Sequence, residues 1–284
     1  MRNRTFLFMP GNNPGMLASA QCLGADVVIF DLEDAVARQE KDAARNLVSH
    51  ALKELRPQGV GITVRINGLD TPFWQADMEA VVEARANYVM VPKMERAEEV
   101  QQVAQAIEAA RRKFGVEEKV EALVIVETPL GLENVFAIAS ASPLLRGILL
   151  GAEDFTAAMG AQRTAEGAEI AYARSRLLTA CKAAGVLAID TPFPFVSDLE
   201  GLEKDAAFAV QLGFDGKAVI SPHHVHRVNR AFVPAPEKIN WAKRVMAAAR
   251  LAEAEGKGAV SLDGMMIDLP IIKRAERILL LADV

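Results

Sequence analysis

The sequence predicts a (β/α)8 TIM barrel with a C-terminal helical extension. Eight short apolar segments recur at intervals of roughly 20 to 40 residues, and helical patterns fill most of the intervals. Strands that alternate with amphipathic helices are typical of parallel βαβ units. Eight units in about 220 residues match the count and size of this barrel. A doubly wound open sheet remains the alternative, because alternation alone does not distinguish the two.

The pattern places eight strands and five helices. Apolar runs of this length predict strands that are buried on both faces, as in a parallel sheet. The strands are expected to begin near Phe6, Val27, Ile62, Tyr88, Ala122, Gly147, Leu187 and Lys217. The helices are expected over residues 40–55, 74–85, 97–114, 166–184 and 202–212.

The C-terminal part of the chain has a different pattern. A charged, alanine-rich helix is expected over 237–255, glycines interrupt it over 256–260, and helical spacing resumes over 270–282. We therefore expect a catalytic barrel domain over 1–233 and an extension over 234–284. The extension is expected to form a lid or an oligomer contact.

Composition bounds the class of protein and its partners. The chain has 284 residues, 51% hydrophobic and 24% charged, as in a globular enzyme with a full core. The net charge of −5 argues against a nucleic-acid partner, which would require a dense basic face. No apolar run approaches the roughly 18 residues that span a bilayer, and the one near the start is too short for a signal peptide. We expect a cytoplasmic protein with no membrane association.

Two very apolar runs are each followed directly by acidic residues. Residues 122–126 lead to Glu127, and residues 147–152 lead to Glu153 and Asp154. A carboxylate at the carboxyl end of a parallel strand points into the region where such folds keep their active sites. Glu127 and Asp154 are therefore predicted to bind one divalent cation with oxygen ligands. The alternative is that both residues cap the helices that follow them.

Other polar side chains follow the remaining strands and are expected to converge on the same edge of the barrel. They are Asp31, Glu33, Asp34, Arg65, Asn67, Lys93, Asp190, Thr191 and Ser221. The planar guanidinium of Arg65 suits a substrate carboxylate, although it could instead pair with a nearby acid. Of the three acids in 31–34, one is expected near the metal through a water, and the others are expected to orient Arg65 or cap a helix.

Eight short motifs occur in order between about residue 4 and residue 282. They lie at residues 8–12, 31–36, 64–67, 91–93, 127–131, 151–155, 212–217 and 262–270. Taken together they resemble the citrate lyase β-subunit family, which lies within the HpcH/HpaI aldolase and citrate lyase superfamily. The resemblance covers essentially the whole chain.

This resemblance implies a set of site residues and an assembly. It implies that Glu127 and Asp154 bind Mg²⁺, with Glu127 also bordering the substrate, and that Arg65 binds the keto-acid portion. It implies that Asp268 acts as the catalytic acid or base in the active site of a neighbouring subunit. The expected assembly is a homotrimer or hexamer with shared sites. The side chains expected to support these groups from behind are Glu33, Asp34 and Lys93.

The resemblance also implies the reaction. Relatives cleave a citryl, citramalyl or malyl thioester, carried on coenzyme A or an acyl carrier protein. The products are an acetyl thioester and a keto acid, which is oxaloacetate, pyruvate or glyoxylate, and the reverse condensation is equally implied. Two alternatives stay open. One is a pyruvate-type class II aldolase that needs no coenzyme A, and the other is a subunit that works only within a citrate lyase complex.

The sequence departs from the family pattern near the expected thioester arm. Several relatives that use coenzyme A carry lysines in the first helix, whereas residues 13–23 of this chain contain none. Many relatives have His or Asn where this chain has Ser221. The native carrier and substrate are therefore left open by the resemblance.

Overall fold

The computed structural model describes residues 2–55, 58–254 and 260–282. The chain forms two compact units, Met1–Asn229 and Arg230–Val284, called here the barrel unit and the C-terminal unit. The sequence places its domain boundary after residue 233, close to this division.

The barrel unit contains a closed barrel of eight parallel strands in chain order. Strand β1 pairs with β2 on one side and with β8 on the other, which closes the sheet. The predicted (β/α)8 fold is confirmed, and closure rules out the open-sheet alternative. The strands are β1 Thr5–Pro10, β2 Val27–Asp31, β3 Gly61–Arg65, β4 Tyr88–Val91, β5 Glu121–Val126, β6 Leu145–Leu150, β7 Leu187–Asp190 and β8 Gly216–Val219.

Helices surround the barrel, and several are shorter than their predicted patterns. In the barrel unit they are α1 Pro14–Ser19, α2 Lys41–Leu55, α3 Trp74–Glu83, α4 Ala97–Phe114, α5 Pro129–Glu133, α6 Val135–Ala139, α7 Ala152–Met159, α8 Ala171–Ala184 and α9 Leu199–Leu212. Helix α10, Pro222–Ala231, spans the boundary between the units. The long helix predicted over 166–184 begins only at Ala171, after a 3-10 turn.

Alternate residues of the strands fill the barrel interior. Successive side chains of a strand point to opposite faces, so one face of each strand lines the inside. The interior cluster comprises Phe6, Val27, Ile29, Tyr88, Met90, Leu123, Ile125, Leu149, Ile189 and Ala218. Continuing the same alternation to the carboxyl edge leads to Asp31 on β2, Arg65 on β3 and Glu127 just after β5. The strand period therefore places these three polar side chains above the apolar core.

The opposite face of β7 and β8 holds a buried network of four charges. Lys217 Nζ lies 2.7 Å from an oxygen of Asp190 and 2.6 Å from one of Asp205. Arg174 on α8 donates from Nε to Asp190 at 2.9 Å and also contacts Asp205. Two cations thus face two carboxylates, which is what allows such groups to be buried. Lys217 also donates to the carbonyl oxygen of Thr191 at 2.6 Å, tying the network to the carboxyl end of β7.

The described part of the C-terminal unit after α10 contains two helices and a β-hairpin. Helix α11 is Pro236–Ala254 and α12 is Leu269–Ala282, and between them β9 Val260–Leu262 pairs antiparallel with β10 Met265–Ile267. The hairpin turn is Asp263-Gly264, and both residues have positive φ angles. The sequence pattern indicated only a glycine interruption before the last helix, and this hairpin was not predicted. Residues 256–259 of that interruption lie outside the described residues.

No helix in the described part of the chain combines the length and the apolar character that a membrane crossing requires.

Candidate active site

A cavity of about 450 Å³ opens at the carboxyl edge of the barrel. Its floor is formed by interior side chains, among them Phe8, Ile125 and Leu149. Polar groups from five strand ends border it, which are Asp31, Asp34, Arg65, Glu127, Glu153, Asp154 and Thr191. The structure therefore brings most of the predicted polar residues together, and it does so over an apolar base.

Arg65 is held in place by Asp31. The guanidinium donates from Nε and Nη2 to the two carboxylate oxygens at 2.7 and 2.6 Å, and it lies 5.2 Å from the ring centre of Phe8. Asp31 also accepts from the backbone N–H groups of Glu33 and Ala35. Burial opposes the charge of Arg65, but the hydrogen bonds and charge of Asp31 outweigh it and raise the pKa of the guanidinium. Arg65 is thus a fixed cation at the edge of the cavity.

Glu33 joins Arg65 to Lys93. One carboxylate oxygen lies 2.9 Å from Arg65 Nη1, and the other accepts from Lys93 Nζ at 3.1 Å. Asp34, which is more exposed, accepts from Arg65 Nη1 at 3.4 Å. Burial raises the pKa of Glu33, against the opposing charge of Arg65. These contacts are consistent with the prediction that Glu33, Asp34 and Lys93 help to position the side chains that border the cavity.

Glu127 is buried and accepts a hydrogen bond from the main chain of Lys93. The Lys93 N–H lies 2.7 Å from Glu127 Oε1. Lys93 adopts a φ of 54°, in the left-handed region that non-glycine residues seldom occupy. Burial raises the pKa of Glu127 to about 8, because the Lys93 N–H offsets it only in part and the charge of Asp154 adds to it. The positive charge of Arg65 therefore compensates this carboxylate only in part.

The helix-cap alternative for the two acids is wrong. Helix α5 is capped by Thr128, whose hydroxyl accepts from Gly131 N at 3.1 Å. Asp154 lies within the first turn of α7, whose N-cap position is Gly151. Glu127 and Asp154 instead border both the main cavity and a second cavity of about 340 Å³ that is also lined by Lys93.

The two carboxylates of Glu127 and Asp154 fit Mg²⁺ better than a metal whose whole coordination shell comes from protein side chains. In the described residues there is no group of three or more Asp, Glu, His or Cys side chains arranged to hold an ion. Mg²⁺ commonly takes one or two carboxylates and completes its octahedron with water and substrate oxygens. The raised pKa of Glu127 and its repulsion by Asp154 are what a divalent cation would relieve.

Five predicted strand-end residues are absent from the lining of the main cavity. Glu33 and Lys93 contact its lining residues Arg65 and Glu127, whereas three others lie elsewhere. Asp190 is the last residue of β7 and faces the helices, because it alternates with the interior residue Ile189. Asn67 turns toward α3, where its side chain donates to Asp77 at 2.6 Å. Ser221 is buried at the start of α10. The expectation that every strand-end group converges is wrong for these three.

Asp268 lies in the C-terminal unit and caps α12. Its Oδ1 accepts from Ile271 N at 3.2 Å, and the side chain is exposed. Asp268 is thus the N-cap residue that directly precedes Leu269-Pro270, the first two residues of α12. Its assigned role as a proton donor therefore depends on the resemblance and stays a prediction.

Sequence reasoning missed two features of the site. Gly151 leaves room for Glu127, because a Cβ atom there would lie 2.4 Å from Glu127 Oε2. The buried ammonium of Lys41 holds the turn after β2. A lysine at the start of a helix, where the dipole disfavours positive charge, was a signal that could have pointed to it.

The chain is similar to known proteins over almost its full length. A protein-family model described as HpcH/HpaI aldolase/citrate lyase matches residues 4–222. Citrate lyase subunit beta from Leuconostoc mesenteroides subsp. cremoris is 41% identical, and the match covers 99% of this chain and 93% of that protein. L-malyl-CoA/beta-methylmalyl-CoA lyase from a Cereibacter sphaeroides strain is 36% identical, with coverage of 96% and 92%.

A solved structure with the same fold supports this relationship. The crystal structure of CitE from Mycobacterium tuberculosis in complex with magnesium, acetoacetate and coenzyme A has a TM-score of 0.81 to this chain. The two are 35% identical, and the match covers 100% of this chain and 99% of the other. Fold and site together define a barrel enzyme whose acids and guanidinium meet at the carboxyl edge. The chain belongs to the HpcH/HpaI aldolase/citrate lyase family and is a citrate lyase β-subunit-like carbon–carbon lyase of the oxo-acid type.

Proposed function

We propose that this enzyme is a Mg²⁺-dependent lyase that cleaves a β-hydroxyacyl thioester into an acetyl thioester and a keto acid, or runs the reverse condensation. The substrate class is citryl, citramalyl or malyl thioester, on coenzyme A or an acyl carrier protein. The observation that carries the proposal is the buried carboxylate of Glu127, with its raised pKa, beside Asp154 and the fixed Arg65, all bordering one cavity. One relative is an L-malyl-CoA/beta-methylmalyl-CoA lyase, and the CitE structure from Mycobacterium tuberculosis holds magnesium, acetoacetate and coenzyme A, which supports this substrate class.

Glu127 and Asp154 would hold the metal. Mg²⁺ bound there would supply positive charge beside the hydroxyl and carboxylate of the substrate, which lowers the pKa of that hydroxyl. The protein contributes two oxygen ligands from different strand ends, and the Lys93 N–H fixes the direction of one of them. Open positions then remain for substrate oxygens, as Mg²⁺ sites with few protein ligands require.

Arg65 would bind the keto-acid portion of the substrate. Hydrogen bonds to Asp31 and Asp34 use three of its five N–H donors, and the Glu33 carboxylate also lies 2.9 Å from Nη1. The remaining N–H groups can face a carboxylate or the developing alkoxide, where a preorganised positive charge stabilises the transition state. Because Asp31 already fixes the guanidinium, little ordering remains to be done when substrate binds.

The bond that breaks joins the carbinol carbon to the α-carbon of the thioester. As the hydroxyl proton leaves to water, the oxygen forms the C=O group of the keto acid, and the C–C electron pair passes to the thioester as an enolate. A proton then adds to the enolate carbon and gives the acetyl thioester. We assign that proton to Asp268 of a neighbouring copy, which makes a homo-oligomer, a trimer or hexamer, part of the proposal. In condensation the same carboxylate would act as the base.

The first test is a cleavage assay with Mg²⁺ on citryl-, citramalyl- and malyl-coenzyme A, in which release of acetyl-coenzyme A and of the keto acid is measured. Turnover of one thioester, lost in Glu127→Gln, is the expected result. Turnover of a free hydroxy acid without coenzyme A would instead favour the aldolase alternative. If no thioester is cleaved although Mg²⁺ binds, the proposal for the isolated chain is wrong, and an acyl carrier protein or partner subunits should be added.

A further inference from the structure

Lys41 is a buried lysine at an unfavourable position in its helix. It is the first residue of α2, where the helix dipole opposes a positive charge, and only 8% of it is exposed. Its Nζ donates to the carbonyl oxygens of Leu32 and Glu33 at 2.8 and 2.6 Å. Burying an ammonium on neutral carbonyls is costly, so its presence calls for a reason beyond packing.

The two carbonyls belong to the turn that carries the acids after β2. From this turn the Glu33 side chain reaches both Arg65 and Lys93. The backbone of Lys93 in turn fixes Glu127. One ammonium thus fixes the start of a chain of contacts that runs through Glu33 and Lys93 to Glu127.

The charges around the cavity give Lys41 a second effect. Five carboxylates lie at or behind its rim, those of Asp31, Glu33, Asp34, Glu127 and Asp154. Arg65, Lys93 and Lys41 provide three positive charges against them. Glu153 also borders the cavity, but Arg163 pairs with it at 2.9 Å and cancels its charge. With Glu127 ionised, which is the form that binds a metal, the remainder is a net charge of minus two, and one divalent cation balances it.

We propose that Lys41 is a positioning residue for the lyase reaction. It fixes the backbone of residues 31–34 so that Glu33 bridges Arg65 and Lys93, and it keeps the site at the charge that one divalent cation neutralises. This inference rests on the proposed function, and it adds a residue that touches neither substrate nor metal.

The test compares three variants of the full chain. Lys41→Met removes the charge and both donors, Lys41→Arg keeps them, and Arg4→Met is the matched control. Arg4 binds Asp26 with two contacts of 2.8 Å at the amino-terminal end of the barrel strands, at the edge opposite the cavity. For each we would measure kcat and KM on the thioester that the wild type cleaves, and the Mg²⁺ dissociation constant by calorimetry.

We expect Lys41→Met to lower kcat by about 10- to 100-fold, the range seen when supporting contacts behind a metal site are removed. We also expect it to bind Mg²⁺ about threefold more tightly, because the site gains one net negative charge. Lys41→Arg should recover most of kcat. Arg4→Met should lower thermal stability and leave kcat and Mg²⁺ affinity unchanged. Slower chemistry with tighter metal binding is a combination that simple loss of folding does not produce.

Two results would overturn the inference. One is a folded Lys41→Met variant with wild-type kcat and Mg²⁺ affinity, and the other is a Lys41→Arg variant as slow as Lys41→Met. If the methionine variant does not fold, Lys41→Gln, which keeps an N–H donor group without the charge, takes its place. If the wild type cleaves no thioester, the proposed function fails, whereas the Mg²⁺ titration of the variants still tests the role of Lys41.

Discussion

At the scale of single residues, Glu127 shows how position sets chemistry. The same glutamate on an exposed loop would be ionised at neutral pH, but here burial and the charge of Asp154 keep its proton on to a pH of about 8. Sequence alone could place this acid at the end of an apolar strand. It could not supply the raised pKa, because that depends on the side chains that β4, β6 and their loops bring around it.

The raised pKa of Glu127 predicts a pH-dependent stability of the metal-free protein. The folded protein holds this proton up to a pH of about 8, whereas the ordinary value of 4.5 applies to the unfolded chain. The unfolded state therefore binds fewer protons between these values, so this group makes the free energy of unfolding fall as pH rises through that window. Mg²⁺, which binds the ionised form, should restore more stability at about pH 8.5 than at about pH 6.

Melting temperatures with and without Mg²⁺, measured across this pH range, check the prediction. The matched control is Glu127→Gln, which has the same shape but cannot ionise, and its melting temperature should lose both the fall with pH and the effect of Mg²⁺. An unchanged pH profile in Glu127→Gln would show that the proton of Glu127 is not coupled to folding.

At the scale of elements, the sequence predicts the strands of the barrel better than it predicts which side chains at the strand ends face the cavity. Apolar runs predicted the strands, and a position just after such a run predicted that Arg65 and Glu127 lie at one edge. The same rule fails for Asp190, which faces the helices because it is one residue out of phase with the interior position Ile189. The contacts of Lys41 are to backbone carbonyls, which the sequence does not identify. Only the place of a lysine at the start of a helix, where the dipole disfavours positive charge, marked this residue.

The β9–β10 hairpin was not predicted although the sequence contains a signal for it. Asp263-Gly264 is a two-residue turn of the type that is a strong hairpin signal, and both residues adopt the positive φ angles that such a turn requires. Each flanking strand has only three residues, which is too short for a period of two to stand out. The signal was present in the turn rather than in the strands.

The close packing of β6 against Glu127 gives a second prediction. In Gly151→Ala the new Cβ would lie 2.4 Å from Glu127 Oε2 and 2.6 Å from its Cβ, so the glutamate must move. The backbone φ of −87° suits alanine, hence the effect is steric and local. We expect Mg²⁺ affinity to fall by about tenfold or more with the fold retained.

Calorimetric titration with Mg²⁺ and circular dichroism together test this substitution. Gly15→Ala in α1 is the control, because a Cβ there meets its nearest atom at an ordinary 3.5 Å. Wild-type Mg²⁺ affinity in a folded Gly151→Ala variant would mean that Glu127 is not a metal ligand or that it moves freely.

At the scale of the whole molecule, the proposed roles are distributed over both units. Glu127, Asp154 and Arg65 belong to the barrel unit, and Asp268 belongs to the C-terminal unit. Within its own chain the Asp268 carboxylate accepts from the α12 backbone, a contact that a neutral amide oxygen can equally make. Asp268→Asn therefore tests the charge of this residue while keeping its cap.

Asp268→Asn and Glu127→Gln should each be inactive alone and active when mixed. If each site combines the barrel of one subunit with Asp268 of another, random hybrids regain about a quarter of the sites, because half the subunits carry each defect. The measurement is thioester cleavage after subunit exchange, with exchange verified by mass spectrometry. Exchanged hybrids without activity would contradict a shared site, and an active Asp268→Asn homo-oligomer would remove the residue from the mechanism.

The hydrogen bond from the Lys93 N–H to Glu127 limits which substitutions at position 93 can disturb the glutamate. Because the donor is a main-chain N–H, an alanine scan would leave the bond in place and record only the loss of the Lys93 ammonium. Proline is the one residue that lacks this N–H, and its ring also fixes φ near −65°, far from the 54° found here. Side-chain mutagenesis therefore does not detect this main-chain hydrogen bond to Glu127. Related enzymes can keep the bond even when they have a different residue at position 93.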